Sequence, residues 1–160
     1  MQSRAIPSIN DSIILARWEQ VALQENLDPN TPEYRERRKS FLSAELRREF
    51  SQLFGVDVES LNGWQKLCIT IRGDAVKIED LTSVKKCKNA LKGHFVNIFD
   101  LVDAGMKGIS MTPGEVFHNR RKLAEYTKET DQIFPKRDAK PVPLLAHFLI
   151  VLGGAYRKRR

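Results

Sequence analysis

At 160 residues the chain has the size of one ordinary domain, for which folding removes roughly 70% of the unfolded surface from water. Its 41% hydrophobic and 29% charged residues exclude a disordered chain, and its longest apolar run falls short of the roughly 20 residues that span a bilayer. The net charge of +7 is uneven, with 8 Lys and Arg against 10 Asp and Glu in residues 1–60 but 19 against 10 in residues 61–160, so the second part suits an acidic partner.

Residues 1–10 show no apolar period and are expected to form a flexible tail. From Asp11 or Ser12, either of which can cap free amides, a helix is predicted to about Gln24. Ile14, Leu15, Trp18, Val21 and Ala22 form its buried side. The prolines of Leu27–Pro32 interrupt the pattern. Thr31 and Pro32 are an N-cap and first-turn pair, and they open the longest helix. It runs to about Phe54 with Phe41, Leu42, Leu46, Phe50, Leu53 and Phe54 inward and Gly55 as its stop. Its outer side mixes Glu33, Arg35, Glu36, Arg37, Arg38, Lys39, Glu45, Arg47, Arg48 and Glu49. Charges interspersed in this way read as a solvated face, each pair contributing ~0.2–0.5 kcal/mol.

In Leu61, Trp64, Leu67, Cys68 and Ile71 apolar residues recur at three- and four-residue steps, predicting a helix that ends at Gly73. Val84, Cys87 and Leu91 repeat the spacing after Thr82 and Ser83, both capable caps, and Gly93 closes this helix. Asn97 caps a short third helix through Ile98, Phe99, Leu101 and Val102 to Gly105, with a strand over His94–Phe99 as the rival reading. Met106–Met111 is expected as a loop. Thr112-Pro-Gly-Glu115 has capping-box order and predicts a helix to about Thr127 with Val116, Phe117, Leu123, Ala124 and Tyr126 inward. Ile133-Phe-Pro135 anchors an irregular connector that leads to Pro143. The run Val142–Tyr156 is expected as a buried terminal helix broken at Gly153-Gly154, ahead of a basic tail at 157–160. The class is therefore all-α, with six to seven helices in one domain over 11–156. Within it, 11–54 is an N-terminal helical pair and 61–156 a basic part.

Cys68 and Cys87 fall at apolar helix positions, where a free cysteine acts as a small hydrophobe. Metal ligands would have to come from Cys68, Cys87, His94, His118 and His147, which span four predicted elements without a C-x-x-C or H-x-x-x-H pair. An inward cysteine in apolar surroundings makes a poor nucleophile. Asp100 is read as helix capping and Asp103 as an exposed helix end, and no glycine spacing fits a phosphate loop. No catalytic, cofactor or metal site is expected.

The basic candidates fall into clusters: Lys85, Lys86, Lys88 and Lys92 on one helix, then Arg120, Arg121 and Lys122, then Lys136, Arg137 and Lys140, and last the tail Arg157–Arg160. No carboxylate interrupts the first of them. These residues are the expected contacts for nucleic acid or for an acidic partner. The turn from Gly73 to Ser83 is about nine residues, longer than the ~3–4 of a helix-turn-helix, so any nucleic-acid binding would be backbone-led and weakly sequence-specific. The leading expectation is a non-enzymatic interaction module that binds a protein partner and meets acidic groups with its basic face. Direct nucleic-acid binding is the alternative, and an enzyme with an unrecognised site is the third reading. With its reduced cysteines, and with Ile13–Ala16 cut off by Arg17 before it can form a secretory core, the chain is expected inside the cell, nuclear ahead of cytoplasmic.

Trp64-Gln-x-Leu67-Cys68, Cys87-Lys-x-x-Leu91, Asn97-Ile-Phe-Asp-Leu-Val102, Tyr126-Thr and Ile133-Phe-Pro-Lys136 followed by Ala139-Lys140 together resemble small helical proteins predicted in filamentous fungi. The resemblance covers roughly Leu61–Lys140. It implies a eukaryotic intracellular setting and no site residue.

Overall fold

The computed structural model describes residues 12–152, of which Ser12 is the first. Its hydroxyl accepts the Leu15 amide and starts α1, Ile13–Gln24, with Ile14, Leu15, Trp18 and Ala22 buried. Thr31 accepts the Tyr34 amide, Pro32 fills the first turn, and α2 runs over Pro32–Phe54 to Gly55. Leu42, Leu46, Phe50 and Phe54 form its buried spine. Helix α3, Leu61–Arg72, starts at Ser60, ends at Gly73 and buries Trp64, Leu67, Cys68 and Ile71. Short 3-10 turns at Gly73–Ala75 and Ile78–Asp80 lead to α4, Val84–Leu91, capped by Ser83 and buried at Cys87 and Leu91.

Both readings of the next stretch hold in part. Phe95–Val96 is a strand, β1, and Asn97 then caps α5, Ile98–Lys107. That helix passes through Gly105 rather than stopping there, so Met106 and Lys107 belong to it and not to a loop. Gly105 is glycine for closeness instead: a Cβ at this position would lie 2.8 Å from Leu53 Cδ1 of α2.

The helix expected from Thr112 to Thr127 is the main correction. Thr112 and Glu115 do form the reciprocal capping box, yet it closes only a 3-10 turn at Pro113–Glu115. Val116–Phe117 then forms β2, antiparallel to β1 with Phe95 opposite Phe117 and Val96 opposite Val116. Asn119 provides a second cap, its side chain accepting the Arg121 and Lys122 amides, and α6 spans Arg120–Thr130. β-branched and aromatic residues fit a pleated surface, so the ladder prevails over the local helix signal. Within α6, Leu123 and Tyr126 are buried and Ala124 is exposed.

Phe134 is buried, a 3-10 turn occupies Lys136–Ala139, and α7 covers Pro143–Val151 with Leu144, Leu145, Phe148 and Leu149 inward. The expectations for 1–10, for a Gly153-Gly154 break and for the tail 157–160 lie outside the described residues. Among the described residues the architecture is all-α, with seven α-helices and one two-stranded ribbon. Helix α2 packs against α1, α3, α5 and α7. Trp18, Trp64, Phe50, Phe99 and Phe148 are fully enclosed, and burial of each such side chain contributes about 1.5–3 kcal/mol. Phe117, Leu123 and Tyr126 form a separate small cluster against Phe95.

Candidate interaction surface

A concavity lies where the end of α2, the outer face of α3 and the 3-10 turn at Ile78 meet. It is an open groove of about 510 Å³ whose lining includes Leu53, Ile69 and Ile78, with Asn62, Gln65 and Lys66 contributing polar groups. Ile69 and Ile78 keep 38% and 52% of their surface exposed. Gln65 donates from Nε2 to the Leu81 carbonyl and so pins the connector that carries Ile78. On the other side of that connector a second depression of about 440 Å³ is lined by Asp74, Lys77, Asp80, Lys86 and Asn89 among others. An apolar floor with a polar rim is the composition of a protein-binding patch.

The predicted basic residues divide by position. Lys85, Lys86 and Lys92 are exposed on or just after α4. Lys86 donates to Thr82, while Lys88 is half-buried with its ammonium 5.3 Å from the centre of the Trp64 ring. That contact takes Lys88 out of the simple solvated face. Arg120 stacks over Phe95, 5.0 Å from its centre to the guanidinium carbon, and donates to the Val151 carbonyl. Arg121 reaches Glu125 at 3.5 Å, and Lys122 is exposed. The ribbon thus brings the end of α4 beside the start of α6. Lys136, Arg137 and Lys140 sit instead on a turn packed against α7, and neighbouring Asp138 accepts the Ser43 hydroxyl of α2 at 2.7 Å.

The ionisable groups in the interior serve the fold. Burial pushes the Cys68 thiol up to about 12, helped by neighbouring Cys87, and raises Cys87 as well. At neutral pH neither is the thiolate that nucleophilic chemistry needs. Asp100 and Asp103 correct the sequence reading, because both are buried rather than a capping residue and an exposed helix end. Asp100 accepts the Tyr126 hydroxyl at 2.7 Å and Gln132 Nε2 at 3.3 Å, and burial lifts its carboxyl to about 6. Asn97 extends this network by donating to Thr127 Oγ1 and the Gln132 carbonyl. Asp103 accepts the Ile13 and Ile14 amides at 3.0 and 3.3 Å, so a residue of α5 caps α1. Burial raises its carboxyl too, against hydrogen bonds that favour the charged form.

His94 and His118, assigned to separate elements by the sequence, meet across the ribbon with ring centres 5.1 Å apart. Their contact follows from strand pairing, which has no signature within either local segment. His147 lies elsewhere, edge-on to Trp64. The described residues hold no group of three or more metal-ligating side chains, and no helix among them is long and apolar enough to cross a membrane. No family model matches the chain, and comparison with curated proteins and with solved structures finds no match.

Proposed function

We propose that this chain is a non-enzymatic helical interaction module that seats an apolar, acid-flanked segment of a protein partner in the groove between α2, α3 and Ile78. The observation that carries the reading is an open apolar floor, made by Leu53, Ile69 and Ile78, with the Lys66 cation on its lining. Among the described residues Lys66 has no ion-pair partner, nor have Lys85 on α4 and Lys92 just after it, which lie outside the groove lining. Partner binding would bury the isoleucines and pair the lysines, joining apolar affinity to electrostatic selection. The reading includes an intracellular setting, nuclear ahead of cytoplasmic, supported by two free buried cysteines and the basic second part.

The test is affinity recovery from nuclease-treated extract, with Ile69→Glu and Ile78→Glu as variants. Each should remove a stoichiometric partner that the unchanged chain retains. Recovery of the same partner by both variants would reject the groove. The second reading, direct nucleic-acid binding, rests on the carboxylate-free exposed lysines of α4. It predicts duplex binding at low salt, with the logarithm of the affinity falling linearly with the logarithm of salt concentration, and a weaker affinity and flatter slope on reversing Lys85, Lys88 and Lys92.

A further inference from the structure

We propose that His94 and His118 form a two-histidine binding site for a divalent transition-metal ion of the zinc, copper or nickel type, with its remaining positions open to water or to an anionic group. The site stands apart from the groove and does not depend on it.

Three geometric observations support it. First, the register that sets Phe95 opposite Phe117 and Val96 opposite Val116 continues by one step to set His94 opposite His118. Directly opposed residues of an antiparallel pair have Cβ atoms about 4.5–5.5 Å apart. Second, His94 Nδ1 lies 3.1 Å from the Lys92 carbonyl and His118 Nδ1 lies 3.2 Å from the Gly93 carbonyl. A carbonyl oxygen only accepts, so each Nδ1 carries the proton and donates. Each Nε2 is left with its lone pair available, the arrangement in which metal-bound imidazoles are held. Third, the ring centres are 5.1 Å apart with planes at 77°. Two imidazoles sharing one tetrahedral ion at about 2.0–2.1 Å through nitrogen have centres roughly 5 Å apart, which matches the separation of this pair.

The two nearby guanidiniums are already engaged, Arg72 on the Ala90 carbonyl and Arg120 on Phe95 and the Val151 carbonyl. No carboxylate contacts either imidazole among the described residues, which selects against calcium and magnesium, ions that take oxygen ligands.

The test uses the full chain in a non-coordinating buffer, titrated with zinc chloride by calorimetry and with copper(II) under electron paramagnetic resonance. One equivalent should bind, with two nitrogen ligands on copper. His94→Gln and His118→Gln should each weaken binding by roughly tenfold or more, and His147→Gln should leave it unchanged. A measurement that needs no variant is acylation by diethylpyrocarbonate, from which zinc should protect His94 and His118 but not His147. Absence of saturable binding, an affinity in both variants equal to that of the unchanged chain, or protection that omits these two rings would overturn the proposal.

Discussion

Helices α2 and α4 both carry dense charge, but they use it differently. The charges of α2 are largely satisfied by neighbours: Arg17 of α1 reaches Glu45 and Glu49 at 2.9 and 3.0 Å, Arg37 reaches Glu25 at 2.7 Å, and Arg48 reaches Glu45 at 2.8 Å. Beneath them runs the spine of Leu42, Leu46, Phe50 and Phe54. Helix α4 buries only Cys87 and Leu91, and among the described residues none of its lysines has a carboxylate partner. Much of the charge on α2 is matched within the fold. Charge on α4 meets a hydroxyl at Lys86 and an aromatic face at Lys88, but no carboxylate among the described residues.

The contrast can be broken most forcefully from the α2 side. Phe50→Ala removes a fully buried ring in contact range of Phe54 and Phe148, and urea unfolding should show a loss of about 3–5 kcal/mol. Next in size is a pH effect in the helix that packs on α2. Since the Asp100 carboxyl is raised from 3.8 to about 6, the folded chain keeps between those values a proton that the unfolded chain has released. Stability should therefore fall as pH climbs from about 4 to about 6, with the buried charge costing on the order of 3 kcal/mol beyond that window. Asp100→Asn should flatten the fall, leaving the part due to Asp103, whereas an unchanged slope in unfolding at pH 4.5, 5.5 and 7 would contradict this account of the burial.

A smaller loss is expected for Arg17→Ala, which leaves Glu45 and Glu49 with only the more exposed Arg48 between them; about 1 kcal/mol should disappear and the loss should shrink in high salt. The smallest effect on stability belongs to α4. Reversal of exposed Lys85 and Lys92 should move unfolding by less than about 0.5 kcal/mol while abolishing the salt-sensitive part of partner binding. A large loss of stability in that double variant would mean that α4 charge, like that of α2, serves the fold.

The sequence disclosed those features whose causes are local. Ser12, Thr31, Pro32, Gly55 and Gly73 mark helix ends through their own side chains or backbone, and the spacing of Trp64, Leu67, Cys68 and Ile71 identified a buried stripe that the structure places at the core. What was misread depends on distant partners. The Thr112 capping box is real but Val116 and Phe117 pair with residues two elements earlier, and Gly105 answers to Leu53 of another helix. A signal for Asp100 and Asp103 was available: residues 98–104 are apolar around the whole helix, which marks an enclosed helix and makes its carboxylates buried ones. The exposure of most α4 lysines was readable from their arc, though not the stacking of Lys88 on Trp64. The groove was not, because its walls come from Leu53, Ile69 and a connector isoleucine.

The reach of Asp103 back to the start of α1 has a consequence for how the chain is made. Ile13 donates to an acceptor 90 positions further along, and synthesis delivers the N-terminal end first. On the ribosome, the opening turn of α1 must therefore wait, its amides solvated by water, until α5 has emerged. Such long-range closure slows folding, and the start of α1 is sealed only after α5 has been made.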